Sequence, residues 1–303
     1  MADSSNICVL LTCHNRRAKT TACLQSLKNA YELYNDSKNR IHIEIYLTDD
    51  GCTDGTAEAA REVFPDEKTL HILQGNGNLF WAGGMRFCWK EALKSHEKWD
   101  YYLLINDDVV FLDNLFDDMI HSDELCCQKY GMHGVYSGFT MSPQKDKTSF
   151  GGSNEKDGLL DPIGTPRQCQ YICANALFIP KAVVDTLGIF DEDYVHGGAD
   201  YDYGFKALKA GVPVMTNCSY IGICENEHRG NASDILALSL KDRKKKLYAP
   251  PRGKKDYLTF LKKHNRKKYF PSLLVLGLQI YFPHIYVILF SKKIERLNKL
   301  HNR

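Results

Sequence analysis

Acidic residues recur at the ends of predicted strands, where carboxylates can hold a metal ion, bind a nucleoside or accept a proton. Asp107 and Asp108 follow an apolar strand. They could hold a hard divalent cation that is bridged to phosphates, or they could begin a helix. Asp49 and Asp50 follow another strand and could serve turn geometry or hydrogen bonds to a nucleoside. Neither pair is specific by itself.

A third group of polar residues lies later in the chain. Asp200 follows Gly197 and Gly198 and precedes a predicted helix. Its carboxylate could cap that helix, or it could face a cleft and act as a general base. His228 could be a metal ligand or an ordinary surface histidine.

Alternating strands and helices must position these residues. Strands are predicted over 7–12, 41–47, 70–73, 101–105, 134–139 and 171–179. Helices are predicted over 19–34, 53–64, 84–96 and just after Asp200. This alternation with short connections predicts an α/β fold with a mostly parallel central sheet flanked by helices. Ligands of such sheets bind at the carboxyl ends of the strands, which is where the acidic residues lie.

The composition is that of a globular protein with a large core. Of 303 residues, 44% are hydrophobic and 25% are charged, which excludes a disordered or fibrous chain. The eleven cysteines are scattered, and the amino terminus carries no signal peptide. We therefore expect buried thiols in a reducing compartment and a cytoplasmic protein. A zinc protein could be proposed from Cys126-Cys127 and Cys169-x-x-x-Cys173, but their spacing matches no common zinc site.

The net charge of +2 hides a division of the chain. From Lys241 onward there are 18 Lys and Arg against 3 Asp and Glu, so the first 240 residues carry −13 and the remainder carries +15. Such a split predicts an acidic body over 1–240 and a basic tail over 241–303 that meets an anionic partner.

An apolar run within the tail favours membrane lipid over nucleic acid as that partner. Residues 269–291 contain no Asp, Glu, Lys or Arg and are rich in aliphatic and aromatic side chains. Pro271 and Pro283 interrupt the run, so attachment in the membrane interface is favoured over a true span, a buried helix or an oligomer contact. A membrane-attached enzyme would be peripheral, at the inner face of the cell membrane.

The order of the clusters resembles the family 2 glycosyltransferases, which have the type-A nucleotide-diphospho-sugar transferase fold. The matching segments, in order, are Leu11–Arg16 ("T-x-x-N-R"), Thr48–Thr56 ("D-D-G-S-T-D-G-T"), Asn106–Asp108 ("D-x-D"), Phe190–Glu192 with Ala199–Asp202 ("F-D-E … E-D-x-D") and His228. The resemblance covers residues 7 to about 230, and as an ordered set the motifs are specific.

The resemblance implies a role for each matching residue. Nucleotide-binding residues would be Thr12, Asn15, Arg16, Asp49, Asp50 and Asp107. The divalent ion, Mn²⁺ or Mg²⁺, would be bound by Asp108 and His228. Asp200 would be the catalytic base, with Asp202 as the alternative because Ala199 replaces the usual acidic neighbour.

A glycine-rich loop over residues 75–84 resembles the donor loop of the same family. Asn78, Trp81 and Gly84 would belong to the donor site, and Phe80 and Trp81 could line the cleft or pack in the core. The halves of the body would then be 1–110 for the nucleotide-sugar and 111–240 for the acceptor and catalysis.

The resemblance implies an inverting transfer of sugar from a nucleotide-diphospho-sugar to a glycan hydroxyl. UDP- or dTDP-sugars are the expected donors, and the tail makes a lipid-linked acceptor and cell-envelope polysaccharide synthesis the natural setting. The alternatives are a non-catalytic relative that binds sugar nucleotide or glycan, and a sugar nucleotidyltransferase. A nicotinamide-dependent oxidoreductase would need Gly-x-Gly-x-x-Gly after the first strand, and that motif is missing there.

Overall fold

The computed structural model of the protein describes residues 5–37, 41–95, 98–226, 235–251 and 253–290. The strands are β1 (Ser5–Cys13), β2 (Ile41–Asp49), β3 (Leu70–Gln74), β4 (Tyr101–Ile105), β5 (Val110–Phe111), β6 (Val135–Met141), β7 (Thr148–Phe150), β8 (Ser153–Asn154), β9 (Gly158–Leu159), β10 (Ala176–Pro180) and β11 (Val214–Ile223). The helices are α1 (Arg17–Ser37), α2 (Thr56–Val63), α3 (Phe80–Ala92), α4 (Leu115–Tyr130), α5 (Lys181–Leu187), α6 (Ala199–Lys209), α7 (Leu240–Tyr248), α8 (Lys255–His264) and α9 (Arg266–Tyr281). Residues 283–290 are also helical.

The chain divides into two compact units. Unit 1 comprises Met1–Glu192 and Ala199–Asn226, and unit 2 comprises Asp193–Gly198 and Glu227–Arg303. The short segment Asp193–Gly198 therefore belongs with the carboxy-terminal part of the chain, although it lies between two stretches of unit 1 in sequence.

Unit 1 is built on a nine-stranded sheet in the order β3-β2-β1-β4-β10-β6-β11-β5, with β7 paired to β6. Strands β1 to β4 are parallel to one another. In the other half β10 runs antiparallel to both β4 and β6, while β11 is parallel to β6. The predicted α/β fold with a mostly parallel central sheet flanked by helices is confirmed.

The burial of β1, a central strand, explains why the sequence predicts it correctly. Residues 7–11 of β1 are all fully buried, because helices cover both faces of a parallel sheet. Ile7, Val9 and Leu11 face one hydrophobic cluster that also includes Leu24 and Leu27 of α1. An unbroken apolar run is the pattern expected for such a strand.

Two elements differ from their predicted bounds at the carboxyl ends of the strands, where the site residues lie. Helix α3 begins at Phe80, four residues before the predicted start, because the carboxylate of Asp50, just after β2, accepts from the backbone N–H groups of Leu79 and Phe80. The predicted strand 171–179 is reduced to β10, whose first residue pairs with the last residue of β4. The start of β10 therefore lies at the same edge of the sheet as the end of β4. We call this edge, where Cys13, Asp49 and Ile105 end their strands, the carboxyl edge.

Unit 2 is helical. Leu258 of α8 and Leu276 and Ile280 of α9 form a small buried cluster. Asp256 binds the segment Asp193–Gly198 through one carboxylate oxygen, which accepts hydrogen bonds from three consecutive backbone N–H groups at 2.6–3.2 Å. A buried carboxylate that receives several N–H donors is a strong local anchor, because charge-assisted hydrogen bonds are about twice as strong as neutral ones.

The apolar run of the tail is broken at Phe282, between α9 and the helical residues 283–290, next to the predicted interruption at Pro283. Among the residues that the structure describes, no helix is both long enough and apolar enough to cross a membrane.

Candidate active site

The second acidic pair meets an arginine from the neighbouring strand at the carboxyl edge. Arg16 follows β1, Asp107 and Asp108 follow β4, and the two strands are parallel neighbours. The Arg16 guanidinium forms an ion pair with each carboxylate: one terminal nitrogen lies 2.9 Å from Asp107 Oδ1, and the other lies 2.6 Å from Asp108 Oδ2. Arg16 and the acidic pair, predicted from two separate motifs, are thus brought together.

Burial perturbs Asp107. Its side chain is 5% exposed, and this burial is the largest cause that raises its pKa to about 6. The Arg16 guanidinium opposes the shift, and the neighbouring Asp108 adds to it. The Thr20 hydroxyl donates to Asp107 Oδ2 at 3.2 Å and favours the ionised form.

Asp108 is more open than Asp107, and its second oxygen faces a thiol. The Cys224 thiol lies 3.7 Å from Asp108 Oδ1. Asn175 Nδ2 donates to Cys224 Sγ at 3.2 Å, and Asn175 Oδ1 accepts from the Cys173 thiol at 2.9 Å. This chain of contacts runs along the carboxyl edge from the acidic pair toward the second half of the sheet.

The predicted base lies at the far end of that chain. Burial is the largest cause that raises the pKa of the Cys173 thiol, and the negative charges of Asp200 and Asp108 both contribute. The Cys173 thiol thus lies within electrostatic reach of both Asp108, the predicted metal ligand, and Asp200, the predicted base. The structure brings Asp108 and Asp200 to one region of unit 1.

Asp200 itself is held at the first turn of α6. Its Oδ1 accepts from the Tyr201 backbone N–H at 2.9 Å. Burial raises the pKa of Asp200 to about 6, and hydrogen bonds from the backbone N–H groups of Tyr201 and Ala174 oppose the shift. The alternative base, Asp202, is only 1% exposed, so Asp200 is the more accessible of the two.

The first acidic pair is engaged differently, because its oxygens bind the protein's own backbone. Asp50 Oδ1 accepts from Gly77 N at 2.8 Å, and Oδ2 accepts from Leu79 N and Phe80 N at 3.0 Å each. Gly75 must be glycine here, since a Cβ would lie 2.7 Å from Asp50 Oδ1. Asp50 therefore shapes the glycine-rich loop, and its predicted contact with the nucleoside stays a prediction.

Asp49 has two partners of its own. Oδ1 accepts from Cys52 N at 2.7 Å, and Oδ2 accepts from Gln74 Nε2 at 2.8 Å. The residue lines a cavity of about 250 Å³ between the end of β3 and the start of α2, together with Cys52, Thr56, Ala57, Glu58, Arg61, Ile72 and Gln74.

The remaining residues predicted from the first-strand loop have structural partners. Asn15 has a positive φ of 51°, and its Oδ1 accepts from Thr53 N at 2.7 Å, which ties the loop after β1 to the loop after β2. The Thr12 hydroxyl donates to Thr48 O at 3.3 Å. A Cβ on Gly84 would lie 2.3 Å from Thr12 Oγ1, so this glycine allows α3 to approach β1 closely.

Asn78 and Trp81 lie on and just after the glycine-rich loop. Asn78 is exposed, and its backbone N donates to Asn76 Oδ1 at 2.9 Å. Trp81 is half-buried, packs on Phe190 with ring centroids 5.6 Å apart, and donates from Nε1 to Asn106 Oδ1 at 2.7 Å. Asn106, the amide that replaces the first carboxylate of "D-x-D", thus positions the tryptophan.

Sequence reasoning missed Asn175, Cys173 and Cys224. A usable signal was their location, because Asn175 immediately precedes β10 and Cys224 immediately follows β11, both at the carboxyl edge. That signal needs the antiparallel direction of β10, which the sequence does not show. His228, the other predicted metal ligand, lies outside the described residues.

Comparisons with known proteins support the fold and the class of the protein. The sequence model of the family described as "Glycosyl transferase family 2" matches residues 8–124, a range that includes both acidic pairs. A mannosyltransferase of Pyrobaculum calidifontis, solved in complex with GDP-Man and Mn²⁺, shares the fold with a TM-score of 0.51. It is 13% identical, and the match covers 96% of this chain and 80% of that chain. No curated protein matches the chain.

A curled, mostly parallel sheet with acidic loops at its carboxyl edge defines the class as an α/β enzyme with the type-A glycosyltransferase fold. The family match over residues 8–124, together with the shared fold, supports a family 2 glycosyltransferase. The predicted family and enzyme class are confirmed, and nucleotide-sugar glycosyl transfer is the activity that they support.

Proposed function

We propose that the protein transfers a sugar from a nucleotide-diphospho-sugar to a glycan hydroxyl by one inverting displacement, with Asp200 as the general base. The carrying observation is that Asp200 accepts from the Ala174 backbone N–H, while the next residue, Asn175, donates to the Cys224 thiol that lies 3.7 Å from Asp108 Oδ1. A phosphate-binding group and a base must lie on either side of the reacting sugar, so both must be near one another.

The acidic pair fits a hard divalent cation. Mn²⁺ and Mg²⁺ prefer carboxylate oxygens, and Asp108 Oδ1 faces the weakly interacting thiol of Cys224 at 3.7 Å. Asp107 and Asp108 would hold the ion, with His228 as a further ligand. When bound, the ion neutralises the charge that develops on the departing diphosphate. The Mn²⁺ complex of the structural neighbour supports this assignment.

Arg16 would act beside the ion. It is 37% exposed, and its guanidinium presents paired N–H donors that match phosphate geometry as well as carboxylate geometry. We propose that it turns from the acidic pair toward a diphosphate oxygen when donor binds. The cavity that Asp49 lines would take the base, with UDP- and dTDP-sugars as the expected donors and GDP-sugars as the donor type of the neighbour.

The displacement needs one proton acceptor and no covalent intermediate. Asp200 takes the proton of the acceptor hydroxyl while that oxygen bonds to the anomeric carbon. The bond from the anomeric carbon to the phosphate oxygen breaks, and the nucleoside diphosphate leaves with the electron pair. A base with a pKa of about 6 is ionised at pH 7 and is basic enough to share the proton in the transition state.

A panel of donors tests the proposal. Thermal stabilisation is measured with UDP, dTDP, GDP and CDP, with and without Mn²⁺, followed by release of nucleoside diphosphate from the matching sugar nucleotide. We expect a metal-dependent shift for one nucleotide and turnover of its sugar conjugate. A folded protein that responds to none of the four would contradict the donor site.

We also propose that unit 2 attaches the enzyme to an anionic membrane at the cytoplasmic face, near a lipid-linked acceptor. The exposed apolar side chains of α9 and the following helix are Phe270, Leu274, Tyr281, Phe282, Ile285, Ile288 and Leu289. Exposed basic side chains stand beside them, at Lys262, Arg266, Lys267 and Lys268. An apolar face flanked by basic residues suits the interface of an anionic bilayer.

Vesicle sedimentation tests the attachment. We expect the full-length protein to pellet with vesicles that contain phosphatidylglycerol and not with pure phosphatidylcholine. The double variant Leu274→Glu, Ile288→Glu should stay in the supernatant, and the matched variant Leu33→Glu, on an exposed site of α1, should still pellet. Equal pelleting of all three proteins would contradict the assignment of this surface.

A further inference from the structure

A cluster of metal-ligating side chains lies at the edge of the sheet opposite the carboxyl edge. We propose that Asp123, Cys127 and His133 form a second metal site, which takes a borderline-soft divalent cation of the Zn²⁺ type. The three donor atoms lie within 4.8 Å of one another. The site would be structural, because it joins the last turn of α4 to the start of β6.

Local sequence builds this cluster. Asp123 and Cys127 are four residues apart on α4, so they project from the same face of the helix. The helix ends at Gly131, whose φ of +70° turns the chain back toward that face. His133 then meets both residues, with Nδ1 at 2.8 Å from Asp123 Oδ2 and 3.4 Å from Cys127 Sγ.

The spacing is close to that of a tetrahedral site. Bonds of 2.0–2.3 Å to Zn²⁺ separate two ligand atoms by roughly 3.3–3.7 Å. The distance from His133 Nδ1 to Cys127 Sγ already falls in this range, and the distance to Asp123 Oδ2 must open by about half an ångström. His133 is 43% exposed, which leaves a path for the ion and a fourth position for water.

The charge and the surroundings of Asp123 favour a cation. Its side chain is 3% exposed, and His133 Nδ1 lies 2.8 Å from its Oδ2. The Tyr136 hydroxyl donates to Oδ1 at 2.7 Å and the Tyr101 hydroxyl donates to Oδ2 at 3.2 Å. Such outer donors orient a metal-binding carboxylate. One carboxylate and one thiolate would balance the charge of a divalent ion.

The sulfur, nitrogen and oxygen donors select the class of ion. Thiolate and imidazole favour Zn²⁺ over the hard cations Mg²⁺ and Mn²⁺. The site thus differs in chemistry from the acidic pair at the carboxyl edge. Another group of three, formed by Cys13, Asp49 and Cys52, is less open, because Cys13 and Asp49 are only 3% and 4% exposed.

Cobalt titration of the full-length, chelator-stripped protein tests the site, because a thiolate bound to Co²⁺ gives a charge-transfer absorption. The variants are Cys127→Ser and His133→Asn, with Cys126→Ser and Cys52→Ser as matched controls. Zn²⁺ affinity is measured in parallel against a chromophoric chelator, and circular dichroism verifies that each variant is folded.

We expect the wild type to saturate at one equivalent with a thiolate band that Zn²⁺ displaces. Cys127→Ser should lose the band, His133→Asn should weaken Zn²⁺ binding at least about tenfold, and both controls should behave as wild type. A missing band in the wild type, a band that survives Cys127→Ser, or one that disappears in Cys52→Ser would overturn the proposal.

Discussion

Two pairs of aspartates, alike in sequence, lie on neighbouring parts of the carboxyl edge and are held in opposite ways. Asp49 ends β2 and Asp50 follows it, and their oxygens are engaged by backbone N–H groups and by the Gln74 amide. Asp107 and Asp108 follow β4 and share the guanidinium of Arg16, with the Thr20 hydroxyl and the Cys224 thiol as further side-chain neighbours.

The difference indicates that the first pair shapes a loop and that the second pair is available to bind a ligand. Backbone donors are fixed in place, so a carboxylate that satisfies three of them is committed to the fold. A guanidinium on a flexible side chain can turn away, so the carboxylates that it holds can exchange partners without unfolding anything. We therefore expect substitutions in the first pair to act on stability and substitutions in the second pair to act on ligand binding and turnover.

Asp200 extends the comparison. Its pKa is raised to about 6, as is that of Asp107, so we group Asp200 with the second pair and not with the loop-shaping first pair. We expect Asp200→Asn to lower kcat by about 10³-fold and to leave donor affinity within about twofold, since an amide cannot accept the proton. Steady-state assays and nucleotide binding measure the two effects. A variant that turns over as fast as wild type would remove Asp200 as the base.

The pH profile sharpens the same assignment. Because Asp200 must be ionised to act, kcat of the wild type should fall as the pH drops through about 6. The residual activity of Asp200→Asn should lack this acidic limb. An acidic limb that persists unchanged in the variant would assign the titration to another group.

Asp50→Asn should give the largest loss of stability. The change removes the charge from three hydrogen bonds that hold the first turn of α3, and we expect the free energy of unfolding to fall by about 2–4 kcal/mol. Denaturant unfolding measures it, and the exposed Asp113→Asn is the control, which should change stability by less than about 0.5 kcal/mol. Equal effects of the two substitutions would break the distinction between the pairs.

Asp107→Asn should change stability in the opposite sense near neutral pH. The folded state raises the pKa of Asp107 above its unfolded value, to about 6, so the folded state binds more protons between pH 4 and 6. This group therefore makes the wild type less stable as the pH rises through that window. The variant should lose that dependence, which unfolding curves at pH 4, 5, 6 and 7 would detect. Identical slopes for both proteins would contradict the shift.

The sequence predicted the first half of the sheet and its acidic ends well, because the central parallel strands β1 and β4 are largely buried and appear as apolar runs. The sequence did not predict which acidic pair binds the protein's own backbone and which remains available for a ligand. Asp50 and Asp107 differ through contacts with Gly77 and Arg16 that are 27 and 91 positions distant along the chain. Asn175 was missed because the direction of β10 depends on pairing with β4, which no local pattern encodes.

The most direct test of the account is metal-dependent thermal stabilisation by the preferred nucleoside diphosphate in the wild type, Asp108→Asn and Asp200→Asn. The account predicts that Mn²⁺ increases the shift in the wild type and in Asp200→Asn, and that Asp108→Asn loses the increase due to the metal. An Asp108→Asn protein that retains the full Mn²⁺-dependent shift would contradict the assignment of the second pair as the metal-binding site.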